Sequence, residues 1–377
     1  MASGPLLLGA RALGLGGAFV GIAEGVDGDT QNPASPAVRS AYSPSYVDFD
    51  AGLGVWFPGT LQSSDFFNTG RGATDLRYSD QEEFALLTPG VNVQLGSWGL
   101  GFAVDLSRYG LCRRSSETQE SELVRAQVST VRTYVARAFG TGDWVAGAGF
   151  HVTALDVTTK PEIFTRPGNL FVTRGLNMEG PALASGAPAH ARGLPARRTP
   201  TSALQFGPKP LNVRWLSPAE ARRAVRNAGA CAGGDQGCIT RRADEWLERR
   251  TRSWPRRYVL ISFALHMEGR MANAVGVESF LQQRVDRSGE AVTFSPRLEL
   301  ETESFASWLR LRAGTYVEPS RFRGGTSRLH GTVGTDVRLM RWGVGGLFDP
   351  DTAWRLSFAM DRADEYSAWT AALGAWD

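Results

Sequence analysis

The chain has 377 residues, 42% of them hydrophobic, and 41 Lys plus Arg against 38 Asp plus Glu give a formal net charge of +3. That balance excludes a dedicated nucleic-acid binder, and no RNA- or DNA-binding motif occurs. The length allows two domains or one large β architecture.

The opening MASGPLLLG has no basic region, and Arg11 falls where the apolar core of a signal peptide would run. It reads as a mature chain with an added or misassigned Met1, so localisation has to come from the residues that follow. Residues 11–37, RALGLGGAFVGIAEGVDGDTQNPASPA, are apolar but carry Gly14, Gly16, Gly17 and Gly21. As a helix the stretch would lose roughly 0.5–1 kcal/mol per glycine. It is also shorter than the ~20 apolar residues a membrane helix needs. Pro33 pushes Asn32 toward an extended conformation, so Asn32-Pro33-Ala34 fixes a sharp bend. A glycine-rich apolar segment of this kind has to pack inside something larger.

From residue 46 onward the period changes to two. Val47, Phe49, Ala51, Leu53, Val55 and Phe57 share one face, with Asp48, Asp50, Gly52 and Gly54 on the other. The spacing predicts further strands over 84–96, 98–106 and 144–158, with a tight turn at Gly96-Ser97. It predicts a less regular strand over 122–139, where Arg132 falls on the apolar parity. Residues 159–200 show no sustained pattern and read as an extended loop; 203–218 read as a hairpin turning at Gly207-Pro208. Ser217-Pro218-Ala219-Glu220 is a helix start, opening a helix–loop–helix insert to about residue 250. Alternation returns over 257–267, 290–303, 305–318, 327–340, 352–361 and 366–376. With 271–285 added and the hairpin counted twice, fourteen strands are expected. Membrane-spanning β-strands carry this one-sided signature, and no strand is apolar on both faces as a buried parallel sheet requires.

Chemistry-bearing motifs are missing. His151, His190, His266 and His330 are scattered, without HExxH or Cys–His zinc spacing, and there is no GxSxG elbow or phosphate-binding GxxxxGK[ST] loop. The expectation is no enzyme, no metal and no cofactor. Cys231 and Cys238 in CAGGDQGC are too widely spaced for a CxxC motif and are expected to form a local disulfide in an oxidising compartment; Cys112 is left over. Polar positions of the last strands carry Arg297, Glu299, Glu301, Arg310, Arg312, Glu318, Arg328, Asp336, Arg338, Arg355 and Asp361. Facing lipid, the basic ones would cost roughly 2–4 kcal/mol each near the midplane. They are expected to face a lumen, where mixed signs suit a cross-strand ladder that stiffens the wall. Residues 186–257 hold fifteen basic and five acidic residues; as outer loops they could pair with phosphates of surface glycolipid, or simply be solvated.

The stretch ALGLGGAFVGIAEGVDGDTQNPASPA resembles the N-terminal signature of the FadL-type outer-membrane transporters and their PorV-like relatives. The resemblance implies an all-β fold, a fourteen-stranded antiparallel transmembrane barrel, with residues 1–45 as a hatch in its lumen and 46–377 as the barrel. An extracellular insert would span about 159–255. It implies an outer-membrane channel or carrier for hydrophobic small molecules such as long-chain fatty acids. A scaffold docking a secretion machinery is the alternative, with other outer-membrane proteins as partners; an adhesin built on the insert is a third. The ligand path would be lined by Leu13, Leu15, Phe19 and Val20, with Gly14, Gly16 and Gly17 letting the backbone move from the Asn32-Pro33-Ala34 base. In that family a kink in the third strand opens a lateral gate, and here Gly99 and Gly101 would permit one.

Overall fold

The computed structural model describes residues 9–38, 46–58, 65, 67–70, 81–114, 121–139, 144–158, 171–179, 197–198, 201–207, 216–229, 231, 235–252, 256–271, 274–276, 285–343 and 352–375. Alternating sequence becomes strand throughout: β1 (Val47–Pro58), β2 (Gln81–Leu95), β3 (Trp98–Arg114), β4 (Ser121–Phe139), β5 (Trp144–Thr158) and β6 (Phe171–Glu179). Two short strands follow, β7 (Arg197–Arg198) and β8 (Thr201–Phe206). The C-terminal part adds β9 (Val259–Glu268), β10 (Thr293–Phe305), β11 (Leu309–Glu318), β12 (Arg328–Arg341), β13 (Ala353–Ala363) and β14 (Tyr366–Ala375). All lie in one sheet, in the order β6-β5-β4-β3-β2-β1-β14-β13-β12-β11-β10-β9, with β7 and β8 both on the far side of β9. Every pairing is antiparallel, and β1 against β14 joins the two halves of the chain.

The strand set differs from the expected one in three places. Residues 171–179, expected as loop, pair with β5. Of the predicted hairpin, the described residues show β8 and, at 216–217, the approach to a helix, while 208–215 lie outside the described residues. Of 271–285, the described residues make only an isolated bridge, Val275 to Arg287. Local alternation finds strands that have one wet and one dry side. It cannot tell a β6 whose sequence, FVTRGLNME, breaks the pattern, because that strand is held by its ladder to a regular neighbour.

The two faces of the sheet are inverted relative to a soluble protein. Phe102, Leu298, Val333, Phe358 and Trp369 are exposed, each at 43% or more, while Glu301, Asp336, Asp361 and Arg310 are at 2% or less. Large contiguous apolar surface of this kind is incompatible with water and suits lipid. No described helix is long and apolar enough to cross a membrane. On β4 the even positions face inward, so Arg132 sits on the inner face and pairs with Asp105 at 2.9 Å. The expected parity of this strand was therefore reversed: Val124 and Ala126 are inward apolar residues, and Val131 and Val135 face outward.

Register also gives the sheet two ends. One holds the Gly96-Ser97 turn, the 306–308 turn, the start of β1 and the end of β14. Phe206 pairs with Val259, and Val259 with Thr302 near that same end, so the connection 207–258 leaves from there. Of the expected insert over about 159–255, the described residues 171–179, 197–198 and 201–206 are strands of the sheet, and the part after β8 leaves from the short-turn end. Within that connection, α3 (Pro218–Asn227) starts at a capping box in which Ser217 and Glu220 satisfy each other's backbone N–H. It packs on α4 (Gln236–Arg252) through Ala221, Val225, Ile239 and Ala243. Cys231 and Cys238 are joined in a disulfide with Cα atoms 6.0 Å apart. Closing a loop this short stabilises by about 2–3 kcal/mol. Reducing the bond, or Cys238→Ser, should expose α3 and α4 to limited proteolysis and leave the sheet intact; equal protease resistance with and without the bond would refute this role. The side chain of Cys112, on β3, lies outside the described residues.

Candidate functional site: the inner face and the segment it encloses

Residues 9–38 lie on the inner face. The short helix α1 (Ala10–Gly14) packs on β11 to β14, while the 3-10 turn Ser35–Ala37 packs on β2 to β5. The sheet therefore holds the segment from both halves of its order. Five backbone carbonyls of the segment are taken by wall side chains, among them Val38 O by Gln94 at 3.2 Å. Thr332 donates to Gly14 O at 3.1 Å, Arg297 to Gly17 O at 3.1 Å, Ser262 to Ala18 O at 2.7 Å and Gln94 to Pro36 O at 3.0 Å. The segment's turns satisfy others of its carbonyls internally, as Gly9, Ala12 and Leu13 O do, and those buried against the wall need such side-chain partners.

The bend is built locally. Asn32 Oδ1 accepts from Ala34 N at 2.9 Å, and Asn32 Nδ2 donates to Val20 O at 2.9 Å, tying the two arms of the segment together. Gly16 and Gly17 have φ of +59° and +75°, the left-handed region that side chains avoid. Pro36 and Pro33 press onto β3 and β5 at glycines. A Cβ added at Gly99 would meet the Pro36 carbonyl at 2.2 Å, one at Gly101 the Pro36 ring at 2.8 Å, and one at Gly147 the Pro33 oxygen at 2.2 Å. At Gly99 and Gly101 the ladder from β3 to both neighbours is unbroken, with Gly99 paired to Gln94 and Ala136. These glycines seat the bend, and the β3 pairing runs through them on both sides.

An ion-pair network fixes the other arm. Arg11 grips Glu301 with both nitrogens, Nε at 3.0 Å and Nη2 at 2.9 Å, and also pairs with Glu24. Glu301 further accepts from Arg312 Nε at 2.6 Å and the Tyr258 hydroxyl at 2.6 Å. Arg312 holds Asp336 bidentately, and Arg355 reaches from Asp336 to Asp27 of the segment. Burial opposes the charge of Arg11, but Glu301 and Glu24 outweigh it and push the guanidinium above its ordinary range. Burial pushes the Asp29 carboxyl well above the usual carboxylate range, against hydrogen bonds from Ser35 and Asn92. Arg310 pairs with Glu303 at 3.4 Å, and Glu299 lies buried opposite Ser262. Arg338 stands apart, at the short-turn end, donating to Ser307 O at 3.2 Å.

Toward the opposite end a second cluster forms. His330 places Nδ1 2.9 Å from Asp361 and Nε2 2.9 Å from Glu318, with Tyr316 stacked on its ring at 4.2 Å. Arg328 pairs with Glu318 and donates to Asp65 O at 2.7 Å, and Asn68 bonds Glu318 O, so residues 65–70 of the β1–β2 connection dock onto β11 and β12. Facing this polar group is an apolar wall from β1, β2, β4, β5 and β14: Trp56, Leu86, Val124, Leu155, Val157 and Ala368, joined by Phe67 and by Leu13 of the segment.

Of the expected path side chains, only Leu13 belongs to that wall. Leu15 and Phe19 are buried in the segment's own core with Ala12 and Ala23, and Val20 is half-buried in the adjoining 3-10 turn. The apolar wall went unread because β4 was read with inverted parity and the large apolar residues on the inner parity of its neighbours, Trp56, Leu155 and Val157, were not singled out; with Val124 and Ala126 they were the signal.

No protein-family description and no curated protein matches the sequence. Among solved structures the chain is similar to a Pseudomonas aeruginosa FadL homologue, at 8% identity and a TM-score of 0.48, over 100% of this chain and 99% of that one. It is similar to the CymD monoaromatic hydrocarbon channel, at 10% identity and a TM-score of 0.39, over 99% and 97% of the two chains. A TodX monoaromatic hydrocarbon channel mutant gives 10% identity and a TM-score of 0.38 over 97% and 98%. A FadL homologue and monoaromatic hydrocarbon channels are thus among the solved structures this chain is similar to.

Proposed function

We propose that the chain is an outer-membrane β-barrel that passes hydrophobic small molecules, long-chain acids among them, with residues 9–38 as an internal plug. The short-turn end then faces the periplasm and the end with residues 65–70 faces outward. The observation that carries the reading is the apolar inner wall from Phe67 to Leu13. A barrel lumen filled with water has no reason to present Trp56, Leu86, Leu155 and Val157 inward. Such a wall gains about 0.8 kcal/mol per methylene buried from a passing solute, whereas the ion-paired wall opposite serves to hold the plug. The ligand enters under residues 65–70, rests on the wall above Leu13, and leaves when the plug shifts.

The test is uptake of a labelled long-chain acid or a monoaromatic hydrocarbon by liposomes holding the purified protein. Leu155→Asn combined with Val157→Asn should lower uptake roughly tenfold, the equivalent of about 1.4 kcal/mol of lost apolar contact. Liposomes that take up no hydrophobe, from a protein that instead co-purifies with a second protein, would replace this reading with the scaffold.

A further inference from the structure

The short-turn end carries a basic and aromatic rim that the transport reading does not use. Around it, on strands far apart in the sheet, large aromatic residues are exposed: Trp98 on β3, Trp144 on β5, Phe305 on β10 and Trp308 just beyond. Arg137 of β4 is exposed on the outward face between two of these rings, 4.9 Å from the Trp98 centroid and 5.1 Å from that of Phe139. Arg257 is exposed immediately before β9, and Arg341 is exposed at the end of β12. The charges that bear on Arg338 are those of Arg341 and Arg256, so this sector of the rim is positive. Of the described carboxylates at the strand ends here, Asp48 and Glu303 fall on inward-facing positions and Glu303 is engaged by Arg310, while on the hairpin Asp235, Asp244 and Glu245 are exposed beside the arginines. The helical hairpin leaves from the same end, and Arg223, Arg226, Arg241 and Arg242 are exposed on it.

We propose that this rim binds the phosphates of anionic phospholipid in the periplasm-facing leaflet, the hairpin extending the contact over the headgroups. The proposal rests on the membrane reading above. Three features favour a leaflet over a single protein partner. The basic residues are spread over β4, the approach to β9 and the end of β12, so they surround the wall, whereas one docked protein would meet one patch. They occur together with exposed rings, which settle at the headgroup level of a bilayer. Arginine stacked on an aromatic ring keeps its planar fork free for a phosphate, with its stem covered.

The experiment compares wild type with the triple variant Arg137→Gln, Arg257→Gln, Arg341→Gln, each checked for folding by heat-modifiable migration. Both are incubated in detergent with equal amounts of phosphatidylglycerol and phosphatidylcholine, and retained lipid is read by native mass spectrometry. Wild type should retain phosphatidylglycerol in roughly tenfold preference, and the variant should lose most of that preference. Raising salt should weaken the wild-type preference, a reading that needs no variant. Equal retention of the two lipids by wild type, an unchanged variant, or displacement of the lipid by millimolar inorganic phosphate would overturn the proposal, the last pointing to a simple anion site. Failure of wild type to insert into bilayers at all would instead overturn the membrane reading on which it stands.

Discussion

Arg11→Met should loosen the N-terminal segment from the wall, costing about 2–3 kcal/mol, the usual loss for hydrogen bonds to a buried charged group whose other partners remain. Arg11 is the only described link in which one side chain of the segment joins Glu24, on the same segment, to Glu301 of β10. With it gone, Glu301 keeps Arg312 and Tyr258, but the α1 arm loses its ion pair to the wall and is held there by neutral contacts such as Thr332 on Gly14 O. The measurement is limited proteolysis of folded protein in detergent, reading cleavage within residues 9–38 while the sheet stays heat-modifiable. Arg11→Lys should fall between wild type and Met, because an ammonium cannot reproduce the two-nitrogen hold on Glu301. If Arg11→Met resists the protease as wild type does, the network does not hold the segment. The same variant should raise leak through the protein, since the charged wall is what keeps the plug seated in the proposed function.

The C-terminal strands were legible because inward charge and outward apolar residues alternate there without a break. Leu298, Leu300, Leu311 and Val333 could only be one face, with Arg297, Glu299, Arg312 and Asp336 the other. What the alternation could not supply was pairing across the sheet. That Arg312 joins Glu301 to Asp336 depends on β10, β11 and β12 lying side by side in one register, and that Arg11 completes the set depends on a contact 290 positions away. The NPA bend was legible as a bend because proline dictates it locally. Its seat was not, because the residues that receive it are glycines, which leave no side-chain pattern to read. The end from which the α3–α4 connection leaves was not legible either, because it is set by the pairing of β8 with β9, two segments more than fifty residues apart.

Those glycine seats make the sharpest test of how the segment is held. In Gly99→Ala and Gly147→Ala the new methyl would stand 2.2 Å from backbone atoms of Pro36 and Pro33, a distance no adjustment of a flexible side chain relieves. Either the bend lifts from β3 and β5 or the strands part. Overpacking of this kind costs about 1–3 kcal/mol where neighbours can give and more where backbone blocks, so the larger value is expected here. Gly331→Ala is the matched control: it lies on the same sheet and a methyl there meets nothing within 4 Å. Lifting the bend should break the Gln94 bonds to Pro36 O and Val38 O. Residues 32–38 should then become open to protease in Gly99→Ala and Gly147→Ala and stay protected in Gly331→Ala. Uptake by liposomes should rise in the first two, because the base of the plug is displaced. A hinge role makes the opposite forecast, since a stiffer β3 in Gly99→Ala would slow uptake while leaving residues 32–38 protected.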